Sequence, residues 1–508
     1  MDEDEAANKL LEEQQTPTRR IVILSYWIII FVSVPLWWYT TRIERLPLAE
    51  SQVHDETARK IVFPVSACSK GPPQARPVMA QLADLLEREP FPDGVNFTWL
   101  TECPKHLPLD DATHYTLSIL PSHAGGPEIF VRGRELTSKV PLDVPSQSTD
   151  AVIRALKSLI NPLSPPVKAQ YSPTYRLAFS LLNEDSSLGG FAMAWDIEAA
   201  ITRHLRRSLR ELSMIYKFTI ESQVQYHAPL AFEPHIVTTM MDDNASAPSY
   251  HLDQDHIKTF VNSEEWTLAS TINNDVVLHF LLFIPSVGHR PMKVIKTNGT
   301  PSSANAFVIP QWGGIVIMNP PATLQNSTGY ILSVEDLLQP FTLFRSQLYA
   351  LLGVPELPPV LNSADDPFTL SQWQIDYLVR TRALENVKHS QEALESIVTL
   401  VHQIQGMPVK ADVQKYVMNS LDYLEKAHSS PSALSILQNS IQALTLSSRA
   451  FFNPGMLAML YFPPEHKYAV YTPLFAPISA PILVATIKEL ISMSRAPRGI
   501  EPGRKALK

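Results

Sequence analysis

Residues Ile21 to Thr41 read IVILSYWIIIFVSVPLWWYTT, 21 consecutive positions without a charge. As a helix rising 1.5 Å per residue, such a stretch reaches about 31 Å, close to the roughly 30 Å apolar core of a bilayer. Arg19 and Arg20 stand before it and Arg42 after it. Trp37, Trp38 and Tyr39 gather at its far end, where amphipathic rings settle at a membrane interface. A cleaved signal peptide would be shorter, would not follow an acidic leader and would end in small residues. The stretch therefore reads as a transmembrane helix.

A second uncharged run, Tyr468–Ile487, reads YAVYTPLFAPISAPILVATI. Pro473, Pro477 and Pro481 recur every four residues, so they share one helix face, and each frees a carbonyl one turn back. In hydrocarbon those carbonyls need partners from protein or trapped water, so this helix is expected to pack against others. A buried helix of a soluble core is the competing reading. Lys488, Arg495, Arg498, Arg504, Lys505 and Lys508 follow, against Glu489 and Glu501. The positive-inside rule puts this tail in the cytosol, and two spans put both termini on one side. Residues 42–467 then face the lumen. Four glycosylation sequons, at Asn96, Asn244, Asn298 and Asn326, all lie on that side, and Pro301 makes the third less favourable.

The composition agrees. Charged residues make up 18% of 508, below the roughly 25% of soluble domains. A net charge of −8 leaves no broad basic surface for nucleic acid. With two cysteines a Cys₄ metal site is excluded. Cys68 and Cys103 are 35 positions apart and could pair in an oxidising lumen, or stand as two unpaired thiols.

The fold class expected is a membrane protein: two transmembrane helices flanking a large α/β lumenal domain with a C-terminal helical part. Its segments are a cytosolic 1–20, a span 21–41, α/β parts 42–165 and 166–360, a helical part 361–467, a span 468–487 and a cytosolic tail 488–508. Short β-rich runs such as Ile61–Val65 precede a helix near Pro77–Arg88. The proline-rich segment from Asn161 reads as a linker. Val276–Ile284 and Ile315–Met318 read as buried strands, and Arg176–Leu182 and Ala306–Pro310 as strands. Trp312-Gly313-Gly314 between them reads as a turn or bulge. Trp195–Lys217 reads as one amphipathic helix whose arginines, Arg203, Arg206, Arg207 and Arg210, form a solvated face. Leu337–Leu352 reads as a helix capped by Gly353. Helical spacing then runs from Ser371 to Ala450.

Catalytic motifs are missing. No nucleophile elbow, phosphate loop, dinucleotide glycine pattern or His-Glu-x-x-His is present. Neither cysteine has a histidine that the sequence pairs with it. His251, Asp253, Asp255 and His256 are dense enough to bind a metal, but read as a polar surface loop for want of a helical pattern to fix ligand geometry. No catalytic residue, cofactor or metal is therefore assigned.

Several stretches together resemble the class S subunits of the glycosylphosphatidylinositol (GPI) transamidase, the PIG-S family. They are Pro35–Thr41 with Leu46-Pro47, Trp312–Ile315, Phe344–Leu348 with Leu351–Gly353, Trp373 with Arg380–Asn386, and Tyr461–Phe475. They cover nearly the whole chain in order, least clearly over 100–270. The resemblance implies a non-catalytic subunit in the endoplasmic reticulum membrane. It implies assembly with the class K catalytic subunit, the class T and class U subunits and the GPI attachment subunit. That complex replaces a C-terminal signal with a GPI lipid. A membrane-tethered lumenal enzyme and a cargo adaptor of the early secretory pathway are the alternatives.

Overall fold

The computed structural model describes residues 2–495 except 42–43, 89, 93, 105–112, 123–126, 142–144, 163–168, 241–245, 263–264, 267, 269–274, 322–328, 366–368, 405–406 and 457–465. Helix α1 (Asp2–Thr41) opens the chain, and α2 (Glu50–Thr57) follows. Next come β1 (Phe63–Lys70), α3 (Arg76–Arg88), β2 (Val95–Trp99), β3 (Thr113–Pro121), β4 (Glu128–Arg132), β5 (Glu135–Val140) and α4 (Pro145–Ile160). The chain continues through β6 (Thr174–Asn183), β7 (Ala192–Trp195), α5 (Ile197–His204), α6 (Arg206–Leu212) and β8 (Lys217–Gln225). Strands β9 (His235–Met240) and β10 (Ser246–Leu252), helix α7 (Gln254–Lys258), and strands β11 (Val276–Ile284), β12 (Met292–Val294), β13 (Ala306–Ile309), β14 (Gly313–Ile317) and β15 (Tyr330–Leu332) lead to α8 (Leu338–Leu352). A short β16 (Asn362–Ser363) precedes α9 (Gln372–Gln403), α10 (Ala411–Ser429), α11 (Ala433–Phe451) and α12 (His466–Arg495). Mixed α/β structure first and helices last is the order that the hydrophobic periodicity predicts.

Two compact units divide these elements. The larger comprises residues 60–385 and 427–438, the smaller 1–59, 386–426 and 439–508.

The larger unit holds two main sheets. The first has the order β16-β4-β5-β3-β1-β2 and is parallel except for the β4–β5 hairpin. Helix α3 buries Val78, Leu82 and Leu86, spaced by four, and α4 buries Val152, Leu156 and Leu159. These stripes share one core with Val65, Tyr115, Leu117 and Ile119 of the sheet.

The second sheet has the order β13-β14-β11-β6-β8. All but β13 are parallel, so the strand order reverses between β6 and β11. Both of these strands are covered on two faces, which is why they read as nearly continuous apolar runs. Their register is unbroken from Val276 opposite Tyr175 to Ile284 opposite Asn183. Phe179 and Phe280 stack at 5.2 Å, and Phe341 and Phe344 of α8 close on Phe179 at 5.7 and 5.9 Å. Gly353 ends α8 with φ 78°, the left-handed cap that its position after an apolar helix predicts.

Two local expectations change. The helix expected over Trp195–Lys217 becomes α5 and α6, parted at the buried Leu205. It stops at Leu212 because Lys217 already begins β8, paired with Thr174 of β6. Its arginines are solvated as expected: Arg203 meets Glu335 and Arg207 meets Glu211 at the surface. At Trp312-Gly313-Gly314 the turn precedes the glycines, with Gln311 at φ 64°, and both glycines lie in β14. They are needed for close approach. A Cβ on Gly313 would sit 1.9 Å from the His279 carbonyl oxygen, and one on Gly314 would sit 2.1 Å from Gln347 Oε1.

In the smaller unit, the segment after α1 is stitched to the late helices. Leu46 donates to Val409 O at 3.0 Å and Val409 donates to Glu44 O at 2.9 Å. Arg45 Nη2 donates to Val401 O at 2.7 Å, and Gln391 Nε2 donates to Glu56 O at 2.8 Å.

Gly313→Ala is expected to cost about 1–3 kcal/mol, because the β11–β14 pair must part to admit the methyl group. Thermal unfolding compared with Gly288→Ala, whose Cβ would meet nothing closer than 3.9 Å, reads this. Equal midpoints for the two variants would contradict the close-approach account.

Candidate functional site

Helices α1 and α12 touch each other within the smaller unit. Arg19 and Arg20 both pair with Glu489, the Arg20 contact being 2.6 Å. Trp27 Nε1 donates to Thr486 Oγ1 at 2.9 Å. Residue numbers rise along α1 as they fall along α12, so the helices run antiparallel. Apolar side chains point outward on both: Ile21, Ile28, Phe31 and Val32 on α1, and Phe475, Val484 and Ile487 on α12, are each about half or more exposed. Such a belt is costly in water. Among the described residues, one stretch, Phe475–Ser494, is long and apolar enough by length and composition to cross a membrane. It lies seven residues beyond the expected start at Tyr468 and takes in Lys488 and Glu489, the latter neutralised by two arginines.

In the larger unit the start of α9 supplies buried cations. Arg382 is 3% exposed; Nε donates to Tyr216 Oη at 2.6 Å and Nη2 to Leu352 O at 2.8 Å, and Nη1 meets Glu385. Arg380 Nη2 donates to Ile160 O at 2.8 Å. Leu352 and Ile160 are the last residues of α8 and α4, so two helix C-termini, with their unpaired carbonyls and negative dipole ends, each receive a guanidinium. Arg134 grips Asp376 with two bonds of 2.7 and 2.6 Å. Through these contacts α9 is tied to both sheet layers.

Open α/β sheets hold ligands outside the carboxyl ends of their strands where the order reverses. Here that position, after β6 and β11, is filled by the protein's own loops. Asn183 Nδ2 donates to Ala192 O and Gln225 O, and its Oδ1 accepts from Ala192 N. The Glu184 carboxylate accepts from Ser286 N at 2.7 Å and pairs with His289 Nδ1. Arg290 donates to Pro285 O and Gly190 O, each at 2.7 Å. Burial pushes the Tyr330 hydroxyl up to about 12 and lowers the Arg290 guanidinium. His279, stacked on Trp312 at 4.8 Å, is held near 4 by burial and stays neutral. The arrangement locks these loops together.

The residues singled out from sequence scatter. Cys68 and Cys103 form a disulfide with Cα atoms 5.3 Å apart. A partner that sequence reasoning missed lies beside it: His114, opposite Ser66 in the β1–β3 register, places Nε2 3.3 Å from Cys68 Sγ and Nδ1 2.9 Å from Ser66 Oγ. Burial first, then the charge of Arg134, lowers the pKa of His114. Asn96 and Thr98 are exposed on β2, an edge strand of the first sheet. Asn298 is exposed in a turn, accepting from Thr300 N and Oγ1. Asn244 and Asn326 lie outside the described residues.

The His251–His256 segment is not a loop. His251 is the next-to-last residue of β10 and bonds to Ser249 Oγ at 3.0 Å, while Asp253 caps helix α7. Asp255 pairs with Lys258. His235, absent from the sequence reading, joins Asp253 and His256. The backbone N–H of His256, foremost, holds the Asp253 carboxyl below the usual carboxylate range.

The family described as phosphatidylinositol-glycan biosynthesis class S protein matches residues 142–496. The mouse GPI-anchor transamidase component PIGS is 34% identical over 323 residues, which are 62% of this chain and 56% of the mouse protein. The human protein of the same description is 34% identical over 322 residues, with the same shares. The chain thus matches little more than half the length of these mammalian relatives. The Schizosaccharomyces pombe GPI transamidase component PIG-S homolog is 27% identical over 97% of this chain and 88% of its own length.

Arg382→Met removes the charge and leaves the Leu352 carbonyl and the Tyr216 hydroxyl without their donor. It is expected to cost about 3 kcal/mol. Arg382→Lys should recover less than half, since a point charge cannot make both bonds of the fork. Denaturant titration of the two variants beside the parent measures both effects, and a parent-like Arg382→Met would refute the assignment.

Proposed function

Because this chain belongs to the phosphatidylinositol-glycan biosynthesis class S protein family, we propose that it serves as a non-catalytic subunit of the GPI transamidase. Its body, α/β over 42–165 and 166–360 and helical over 361–467, docks other subunits in the lumen of the endoplasmic reticulum. The class K catalytic, class T, class U and GPI attachment subunits are the proposed partners, with no cofactor of its own.

One observation carries the non-catalytic reading. Transfer through a thioester needs a thiolate nucleophile. This chain has two cysteines, and each is the other's disulfide partner. The strand ends where an α/β fold would build a site are spent on loop-to-loop bonds, which supports the same reading.

Two spans, Ile21–Thr41 and Tyr468–Ile487, hold the body with both termini cytosolic. The antiparallel contact of α1 and α12, their outward apolar side chains and the Arg19–Arg20–Glu489 cluster at one end support this. The charged cluster then sits at the cytosolic boundary, where charges meet headgroups and water.

Affinity isolation of the full chain in mild detergent, followed by mass spectrometry, is expected to recover the other transamidase subunits in near-stoichiometric amounts. A chain that elutes alone under those conditions would sink the subunit reading. For topology, Asn96→Gln and Asn298→Gln should each remove one endoglycosidase-sensitive glycan, and a tag after Lys508 should be cut by protease added to intact microsomes. A protected tag, or a body without glycans and open to that protease, would overturn the two-span orientation.

A further inference from the structure

A cluster on the small three-stranded sheet of the larger unit plays no part in the function proposed above. His235, Asp253 and His256 bring one ligand atom each to within 4.8 Å of one another. They come from three elements: the first residue of β9, the residue after β10, and α7. The antiparallel β9–β10 pair sets His235 opposite His251, two positions before Asp253, and so closes the 18-residue gap in sequence between His235 and Asp253.

The spacing lets all three residues reach one ion, once His256 Nδ1 gives up the Asp253 backbone N–H that it accepts at 3.4 Å. Asp253 Oδ2 lies 3.2 Å from His235 Nε2, and Asp253 Oδ1 lies 3.0 Å from His256 Nδ1. A tetrahedral ion with ligands at about 2.0–2.1 Å has ligand–ligand edges near 3.3 Å. The carboxylate is held in place because Oδ1 also accepts the backbone N–H groups of Asp255 and His256. Phe232 stacks on the His256 ring at 4.5 Å, and His235 meets that ring edge-on at 4.6 Å. The side chains of His235 and Asp253 are 65% and 45% exposed, so one side opens to water.

We propose that His235, Asp253 and His256 form a binding site for a zinc-like divalent cation, with water completing the coordination. Two imidazoles and one carboxylate suit zinc, nickel or copper, whereas magnesium and calcium need oxygen-rich sets. The ion would fasten β9 to the β10–α7 corner.

The test uses the full-length chain in detergent, stripped with chelator and titrated calorimetrically with zinc chloride. One equivalent is expected to bind and to survive excess magnesium. Cobalt(II) in its place should give the visible absorption of a low-coordinate nitrogen–oxygen site. His235→Ala, at an exposed position, should weaken binding at least about tenfold, a loss that even outer-shell partners can cause. Asp253→Asn separates ligation from capping, because asparagine caps a helix as well as aspartate but offers no anionic ligand. This variant should fold normally and also bind at least about tenfold more weakly. Less than one equivalent bound by the parent, or parent-like zinc binding in either variant, overturns the proposal and leaves a capping and hydrogen-bonding cluster.

Discussion

A guanidinium cannot shed its proton, so an arginine taken out of water must find acceptors wherever it is placed. The larger unit is organised around that requirement. Arg382 and Arg380, two residues apart on α9, are 3% and 4% exposed, and they spend bonds on the last carbonyls of α8 and α4. Those carbonyls are themselves in need, since a helix end has no donors of its own to offer them. Each pairing therefore removes two penalties at once. One turn earlier on α9 the roles are exchanged: Asp376 accepts two bonds from Arg134, which stands between β4 and β5. The consequence is rigidity of placement: α9 sits where both helix ends can be reached.

Elements with strong local signals were legible in the sequence. Helix α3, α8 with its glycine cap, and the doubly covered strands β6 and β11 are fixed by periodicity and length, and the structure has them within a residue or two of expectation. What was hidden depends on neighbours. Strand β8 lies mostly exposed at a sheet edge, so it lacks the alternation that marks a half-buried strand. The first sheet gathers short strands whose register is set by parallel partners far along the chain, such as Val65 opposite Thr113. The glycines of β14 read as a turn because their real cause, a carbonyl of β11 pressed against Gly313, is a long-range contact.

The candidate sites show the same division. The Arg380–Asn386 stretch could be quoted as a family resemblance, yet nothing in its spelling says which carbonyls its arginines reach. Two of the three members of the imidazole–carboxylate cluster could be named from the dense His251–His256 run. The third, His235, could not, because only the β9–β10 pairing brings it near. His114 was invisible beside Cys68 for the same reason: parallel strands β1 and β3 join residues 46 apart.

The smaller unit is assembled from the two ends of the polypeptide, with residues 60–385 intervening between its first and second pieces. A ribosome adding about 5–20 residues per second takes roughly 15–65 seconds to make those 326 residues. Throughout that interval the stretch around Glu44–Glu56 has been synthesised while its partners, Gln391, Val401 and Val409, have not. The larger unit is therefore synthesised almost entirely before these contacts of the smaller one can close, and a chain ending before Gln391 would leave the Glu44–Glu56 stretch without those partners.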